Sequence, residues 1–140
     1  MADEKQEVAA ANEAFYRAFE SLEIQQMEKV WAKEAEIQCG HPGWGILRGW
    51  GAVMESWRRI FENTPTLRFS LTDLSIDIRG HLAWVTLYEN ISSSMEGQTV
   101  SAIVLTTNIF EKGAEGWRMI LHHGSSVAPQ APRVDPPTVH

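Results

Sequence analysis

Apolar residues recur first at helical spacing and then, from about residue 67, at strand spacing. Val8, Ala11, Phe15, Ala18, Phe19 and Leu22 follow the i, i+3, i+4 rhythm of one buried face, which predicts a helix over residues 1–22. Asp3 and Glu4 near its start suit the positive end of the helix dipole. Ile24, Met27, Val30 and Trp31 predict a short second helix to about Lys33, followed by an extended segment over Ala35–Gly40. Val53, Met54, Trp57, Ile60 and Phe61 make the inner face of a third helix over Trp50–Glu62. Asn63-Thr64-Pro65 ends it, because the residue before a proline disfavours helix. The period then becomes two. Leu67, Phe69 and Leu71 alternate, and Leu74, Ile76 and Ile78 alternate in the opposite phase, so a bulge is predicted near Thr72-Asp73. Leu82–Ser92, Thr99–Phe110 and Trp117–Ser125 are three further strands, separated by turn residues.

Four successive strands at hairpin spacing predict an antiparallel meander. The fold class is α+β, with three N-terminal helices packed in the concave face of a curved antiparallel sheet and a cavity between the layers. The domain is expected over residues 1–127. Residues 128–140 hold four of the six prolines without apolar periodicity, and are expected to be a flexible tail.

Charge and composition narrow the partners. Twelve basic against eighteen acidic side chains give a net charge of -6, and Arg58-Arg59 is the one adjacent pair of cations, so no nucleic-acid partner is expected. Cys39 is the single cysteine, which excludes an intrachain disulfide. The charged start lacks the apolar core of a signal peptide, and no apolar run approaches spanning length. A cytoplasmic protein without membrane association is the expectation.

The chemistry gathers around His41-Pro42-Gly43-Trp44-Gly45-Ile46-Leu47-Arg48-Gly49-Trp50, where proline and glycines shape a loop. His41 has an ordinary pKa near neutrality and is a candidate general base; the plainer reading is a histidine bonded to loop backbone. His123 alternates in phase with Trp117, Met119 and Leu121, which directs it toward the helices, while His122 falls with Arg118 and Ile120 on the other side. Together His41 and His123 form a catalytic pair across a small cavity. Without a carboxylate partner they are a poor metal set, so no metal and no cofactor are expected. Tyr16, Trp44, Trp57, Trp84, Thr106 and Asn108 are candidate ligand-binding residues, with core packing the alternative for Trp57. Asn108 shares a face with Val104, Thr106 and Phe110, where a buried amide needs partners. Glu89 and Asn90 point to opposite faces and the pattern does not choose between them; an inward Glu89 would have a raised pKa. The strand faces bearing Trp84, Tyr88, Ile103, Leu105 and Ile120 are apolar enough to predict a homodimer through the sheet.

The order helix, helix, His-Pro loop, helix and meander resembles the SnoaL-like branch of the nuclear-transport-factor-two-like superfamily. Two motifs carry the likeness. One is His41-Pro42-Gly43-Trp44 with Gly49, Val53, Ser56 and Trp57; the other is Trp117 to Ser125. The resemblance covers roughly residues 5–127. It implies a cone-shaped α+β barrel with an internal pocket, commonly dimeric through the sheet, and it favours His41 and His123 as pocket residues. It spans isomerases, cyclases, dehydratases, epoxide hydrolases and assembly domains. Compared with the superfamily's ketosteroid isomerases, His41-Pro42 stands where an Asp-Pro base is found. Their helix tyrosine aligns with Phe15, since Tyr16 lies about a hundred degrees further round, and their strand acid aligns with Thr106. Two readings follow. One is a small-molecule pocket protein, an isomerase, cyclase or lyase using His41 on an apolar or aromatic ligand. The other is a non-catalytic dimeric ligand-binding or assembly module.

Overall fold

The chain was described as a computed structural model over residues 3–127; the proline-rich stretch from Ala128 lies outside the described residues. Helix α1 spans Glu4–Ser21, α2 spans Ile24–Val30 and α3 spans Trp50–Glu62. The strands are β1 (Gln38–Gly40), β2 (Leu47–Arg48), β3 (Arg68–Arg79), β4 (Leu82–Met95), β5 (Gln98–Gly113) and β6 (Gly116–Ser126).

Local chemistry sets the helix ends. The Asp3 side chain accepts from the Lys5 N–H at 3.1 Å, satisfying a donor that the first turn leaves unpaired. Leu22 closes α1 in the left-handed region, at φ 57°. Asn63 closes α3 by donating from Nδ2 to the Arg59 carbonyl at 2.7 Å. Both Phe15 and Tyr16 are buried, because α1 lies between the sheet and the other helices and shows a buried face wider than one stripe. The hundred-degree offset therefore does not carry Tyr16 out of the interior.

The sheet runs β2-β1-β6-β5-β4-β3. β3 to β6 form the expected antiparallel meander. The segment expected only as extended joins the sheet as β1 and runs parallel to β6, so the sheet is mixed rather than wholly antiparallel. The loop that starts at His41 leaves from β1 and returns as β2. The bulge in β3 lies between Thr72 and Ser75, with Asp73 at φ 54°.

A second bulge was not foreseen. Ile109 pairs with Leu121 and Phe110 pairs with Met119, so Ile120 is an extra residue on β6. It reverses the side on which later residues point. Trp117 and Met119 face the helices; beyond the bulge His122 and Gly124 do, while His123 is exposed. This corrects the expectation that His123 points inward and His122 outward.

The core lies between the concave sheet face and the three helices. Val8, Phe15, Met27, Trp31, Ile37, Met54, Trp57, Val85, Leu87, Phe110 and Met119 are almost wholly buried there. Each contributes roughly 1.5–3 kcal/mol by leaving water. Aromatic edges meet faces throughout, as between Phe19 and Trp57 with centroids 4.7 Å apart.

Candidate functional site

The inner sheet face is apolar at one end and polar at the other. Ala83, Phe110 and Met119 lie in one row across β4, β5 and β6. The rows beyond it carry Asn108 beside His122, then Thr106 beside Gly124, then Glu89 opposite Val104. Asn12 and Tyr16 reach this end from α1, Ser56 from α3 and His41 from the loop, and all are buried. Glu89 rather than Asn90 faces inward, because it continues the aliphatic series Ala83, Val85, Leu87.

These groups form a hydrogen-bonded chain whose direction follows from the donors available. Tyr16 Oη donates to Glu89 Oε2 at 2.5 Å. Asn108 Nδ2 donates to Tyr16 Oη at 3.2 Å and to Asn12 Oδ1 at 3.0 Å, which uses both its protons. Asn108 Oδ1 is then the acceptor for His122 Nδ1–H at 2.6 Å. Neutral His122 is thereby held with its proton on Nδ1 and a lone pair on Nε2.

His41 is fixed in the same manner. Ser56 Oγ donates its one proton to the Val53 carbonyl at 2.6 Å, so it must accept from His41 Nε2 at 2.8 Å. The His41 lone pair is on Nδ1, and the Cys39 sulfur lies beside the ring, 3.9 Å from Nδ1 and 3.6 Å from Nε2. The His41 ring meets Trp57 edge to face at 4.7 Å and Trp44 at 5.0 Å, and it lies 6.4 Å from the His122 ring.

Burial shifts every titratable group here. Desolvation raises the Glu89 carboxyl to about 7, against the opposing pull of the Tyr16 hydrogen bond. It lowers His41 to about 4. It holds His122 well below the ordinary histidine value, with the neighbouring His41 and His123 acting in the same sense. Burial also pushes the Tyr16 phenol and the Cys39 thiol far up, with Glu89 adding to each. At neutral pH both imidazoles are uncharged and Glu89 is near its midpoint. Among the described residues three buried side-chain polar atoms remain without a partner: Thr106 Oγ1 and Trp57 Nε1 in this region, and Trp117 Nε1 at the start of β6. Thr106 borders Tyr16 and Glu89 yet meets neither at hydrogen-bond geometry.

The structure brings His41, Tyr16, Trp57, Thr106 and Asn108 to one interior region and leaves three expected residues outside it. His123 is exposed and lies against Gly40. Trp84 lies half-buried on the opposite sheet face from Val85 and Glu89, so it does not wall this region. Trp44 is 43% exposed and covers His41 from outside. Sequence reasoning missed His122, Asn12 and Ser56 as site residues. The aliphatic parity of β4 was a usable signal for Glu89; β6 offered none for His122.

Open volume and buried chemistry do not coincide. A depression of about 450 Å³ lies between α1, α2 and the start of β6, among Ala10, Ala11, Ala14, Val30 and Trp117. A neighbouring one of about 580 Å³ has charged walls, including Lys33, Glu34 and Glu111. The site is assigned to the polar cluster instead, because convergent buried polar groups are what orient a ligand. A third depression, of about 450 Å³, is lined by Trp44, Arg59, Ile60, Asn63 and Thr64. Trp44 thus stands between that depression and the His41 ring. Among the described residues no cluster of three or more His, Cys, Asp or Glu side chains is arranged to hold a metal ion.

Residues 8–129 match the SnoaL-like domain family. A structure from Streptomyces avermitilis, provisionally named a dehydratase of the NTF2-like family, is 33% identical. It superposes with a TM-score of 0.85 over 90% of this chain and 97% of its own. A Thiobacillus denitrificans structure, provisionally named a calcium/calmodulin-dependent protein kinase type II association domain, is 30% identical with a TM-score of 0.76, over 86% of this chain and 94% of its own. The F-box protein SKIP8 of Arabidopsis thaliana is 25% identical over 120 residues, 84% of this chain. The matched region is 48% of that plant protein, so this chain spans about half the length of its curated relative.

Proposed function

This chain belongs to the SnoaL-like domain family, and from that premise we propose that its interior is a small-molecule site that moves protons on an apolar or aromatic ligand, as an isomerase, cyclase or lyase does. The observation that carries this reading is the buried cluster of Asn12, Tyr16, His41, Ser56, Glu89, Thr106, Asn108 and His122, set within an otherwise apolar interior. Burying that much polarity costs free energy that an inert core avoids. His41 is the base: it is neutral, and Ser56 turns its Nδ1 lone pair away from the Nε2 anchor. It would take a proton from carbon next to a carbonyl, and the pair of electrons left behind would move onto the carbonyl oxygen. The assisting imidazole is His122, since His123 faces away. The Thr106 hydroxyl, buried beside Tyr16 and Glu89 without a partner, is the donor for the developing oxyanion. Movement of Trp44 would join the neighbouring depression to His41 and admit the ligand.

The test is deuterium uptake. Small aromatic ketones are incubated with the protein in D2O, and exchange beside the carbonyl is followed by proton NMR. Catalysed exchange that falls by about a hundredfold or more in His41→Ala is the expected result, within the usual range for a general base. No catalysed exchange for any ketone would overturn the proton-transfer reading. The second reading, an assembly module, draws on the outer sheet face, where Ile103 and Leu105 are each 45% exposed. The Thiobacillus protein's name points the same way.

A further inference from the structure

We infer that the depression on the solvent side of Trp44 holds the far end of the substrate, and that Arg59 there selects an aromatic ketone bearing a carboxylate opposite its carbonyl. This rests on the reading of the interior as a proton-transfer site and adds the class of substrate. Position comes first. Trp44 packs on His41 from outside, with ring centroids 5.0 Å apart, and the same side chain lines the depression together with Arg59, Ile60, Asn63 and Thr64. Among the described residues, none that lines the other two depressions packs on His41. A ligand that reaches His41 past Trp44 therefore leaves its trailing end beside Arg59. Helix α3 ties the two places together. Ser56 is buried and accepts from His41, and Arg59 follows on the next turn, where the helix meets solvent. Residues three apart on a helix have Cβ atoms roughly 5–6 Å from one another. One aromatic ring substituted at opposite ends spans such a gap.

Charge gives the class. Among the described residues the lining of this depression holds one cation, Arg59, and no acid. Arg59 is in no ion pair among those residues, whereas Arg58 beside it is shared between Glu28 and Glu55. Glu55 and Glu62 stand one turn to either side of Arg59 on α3, and neither lines the depression. The C-terminal end of a helix repels an anion through its bare carbonyls. Here Asn63 Nδ2 donates to the Arg59 carbonyl at 2.7 Å and Thr64 Oγ1 donates to the Ile60 carbonyl at 2.6 Å, which covers two of them. The guanidinium is then the charge that the depression offers, in a planar fork that matches a carboxylate. Trp44 and Ile60 form apolar walls on which the ring of the substrate would pack.

Two ketones of one shape carry the test, 4-acetylbenzoate and 4-acetylbenzamide. Deuterium exchange at the methyl group gives kcat/KM for each, corrected for its exchange in buffer, and calorimetry gives the affinities. 4-Acetylbenzoate is expected to be favoured about three- to tenfold at low ionic strength, mostly through KM, and the advantage is expected to shrink as salt is added. Arg59→Gln is expected to bring the ratio close to one, and Arg59→Lys to restore part of it. The side chain is exposed, so both variants are expected to fold. Equal efficiency for the two ketones, or a preference that survives in Arg59→Gln, would overturn the role of Arg59 while the proton-transfer site stands. Binding of 4-acetylbenzoate that needs Arg59, without exchange, would keep the carboxylate subsite and remove the proton transfer. Binding of neither ketone would overturn both.

Discussion

His41 illustrates how burial changes the weight of a single side chain. A histidine in a solvated loop would cost about 1 kcal/mol or less on truncation. Here its ring is bonded to Ser56 and packed on Trp57. His41→Ala is expected to cost about 2 kcal/mol, since it leaves Ser56 Oγ without its donor. The two strand histidines should differ more sharply. His122→Ala is expected to cost about 3 kcal/mol, by emptying core volume and orphaning Asn108 Oδ1, whereas His123→Ala should stay within about 0.5 kcal/mol. Urea denaturation of the three variants checks the order. Glu89 gives a pH signature. Its folded pKa of about 7 lies above the ordinary 4.5, so the folded state holds a proton that the unfolded chain releases between those values. Stability from this group is full below pH 4.5 and is lost as pH rises through 7, by on the order of 3 kcal/mol. His41 works oppositely: its contribution is full above pH 6.5 and is lost as pH falls toward 4. Between pH 4.5 and 6.5 these two slopes cancel, and His122, which burial also keeps neutral, makes stability rise toward pH 6.5. Glu89→Gln should remove the decline above it, and thermal melts from pH 5 to 8 would reveal a persisting decline if another group were responsible.

At the scale of elements, two bulges show why part of the site was legible and part was not. In β3 the apolar set moves from Leu67, Phe69, Leu71 to Leu74, Ile76, Ile78, so the irregularity is written in the sequence and lies where expected. In β6 the run Trp117, Met119, Ile120, Leu121 is apolar on both parities around the extra residue, and no break marks it. Helix α3 and the four long strands followed from periodicity alone, because each must present one apolar face. The short β1 has too few residues to show a period, and its parallel pairing depends on where β6 lies. Glycine contacts test how the loop and β1 sit against β6. A Cβ on Gly124 would come within 2.7 Å of Val104 Cγ1 and 3.5 Å of Pro42 Cγ, where a buried, branched side chain has little room to yield. Gly124→Ala is expected to cost about 1–3 kcal/mol. A Cβ on Gly40 would meet His123 Cδ2 at 2.9 Å, but that ring is exposed and can turn away. Gly40→Ala should cost less than about 1 kcal/mol, and His123→Ala in the same chain should recover most of it. Equal costs at the two glycines would contradict this packing.

For the whole molecule, the apolar convex face remains to be accounted for. Ile103 and Leu105 are 45% exposed, with Trp84, Tyr88 and Ile120 half-buried around them. A homodimer through this face is the expectation. Light scattering at micromolar concentration should return twice the chain mass, and Leu105→Lys should return it to one. A monomer mass for the unchanged chain would remove the prediction. Such a dimer would leave the polar cluster on the far side of each sheet, so Leu105→Lys should spare ligand binding.

The extra residue in β6 also bears on how this chain is compared with its relatives. Two adjacent histidines stand just past it, and the place of a single unpaired residue decides which of them enters the interior. A relative that carried its extra residue three or four positions later would show the same letters in the same alignment columns, yet would turn the second histidine inward. Column-wise agreement at this pair therefore does not establish functional equivalence. The strand has two reading frames, and the frame has to be known before the letters are compared.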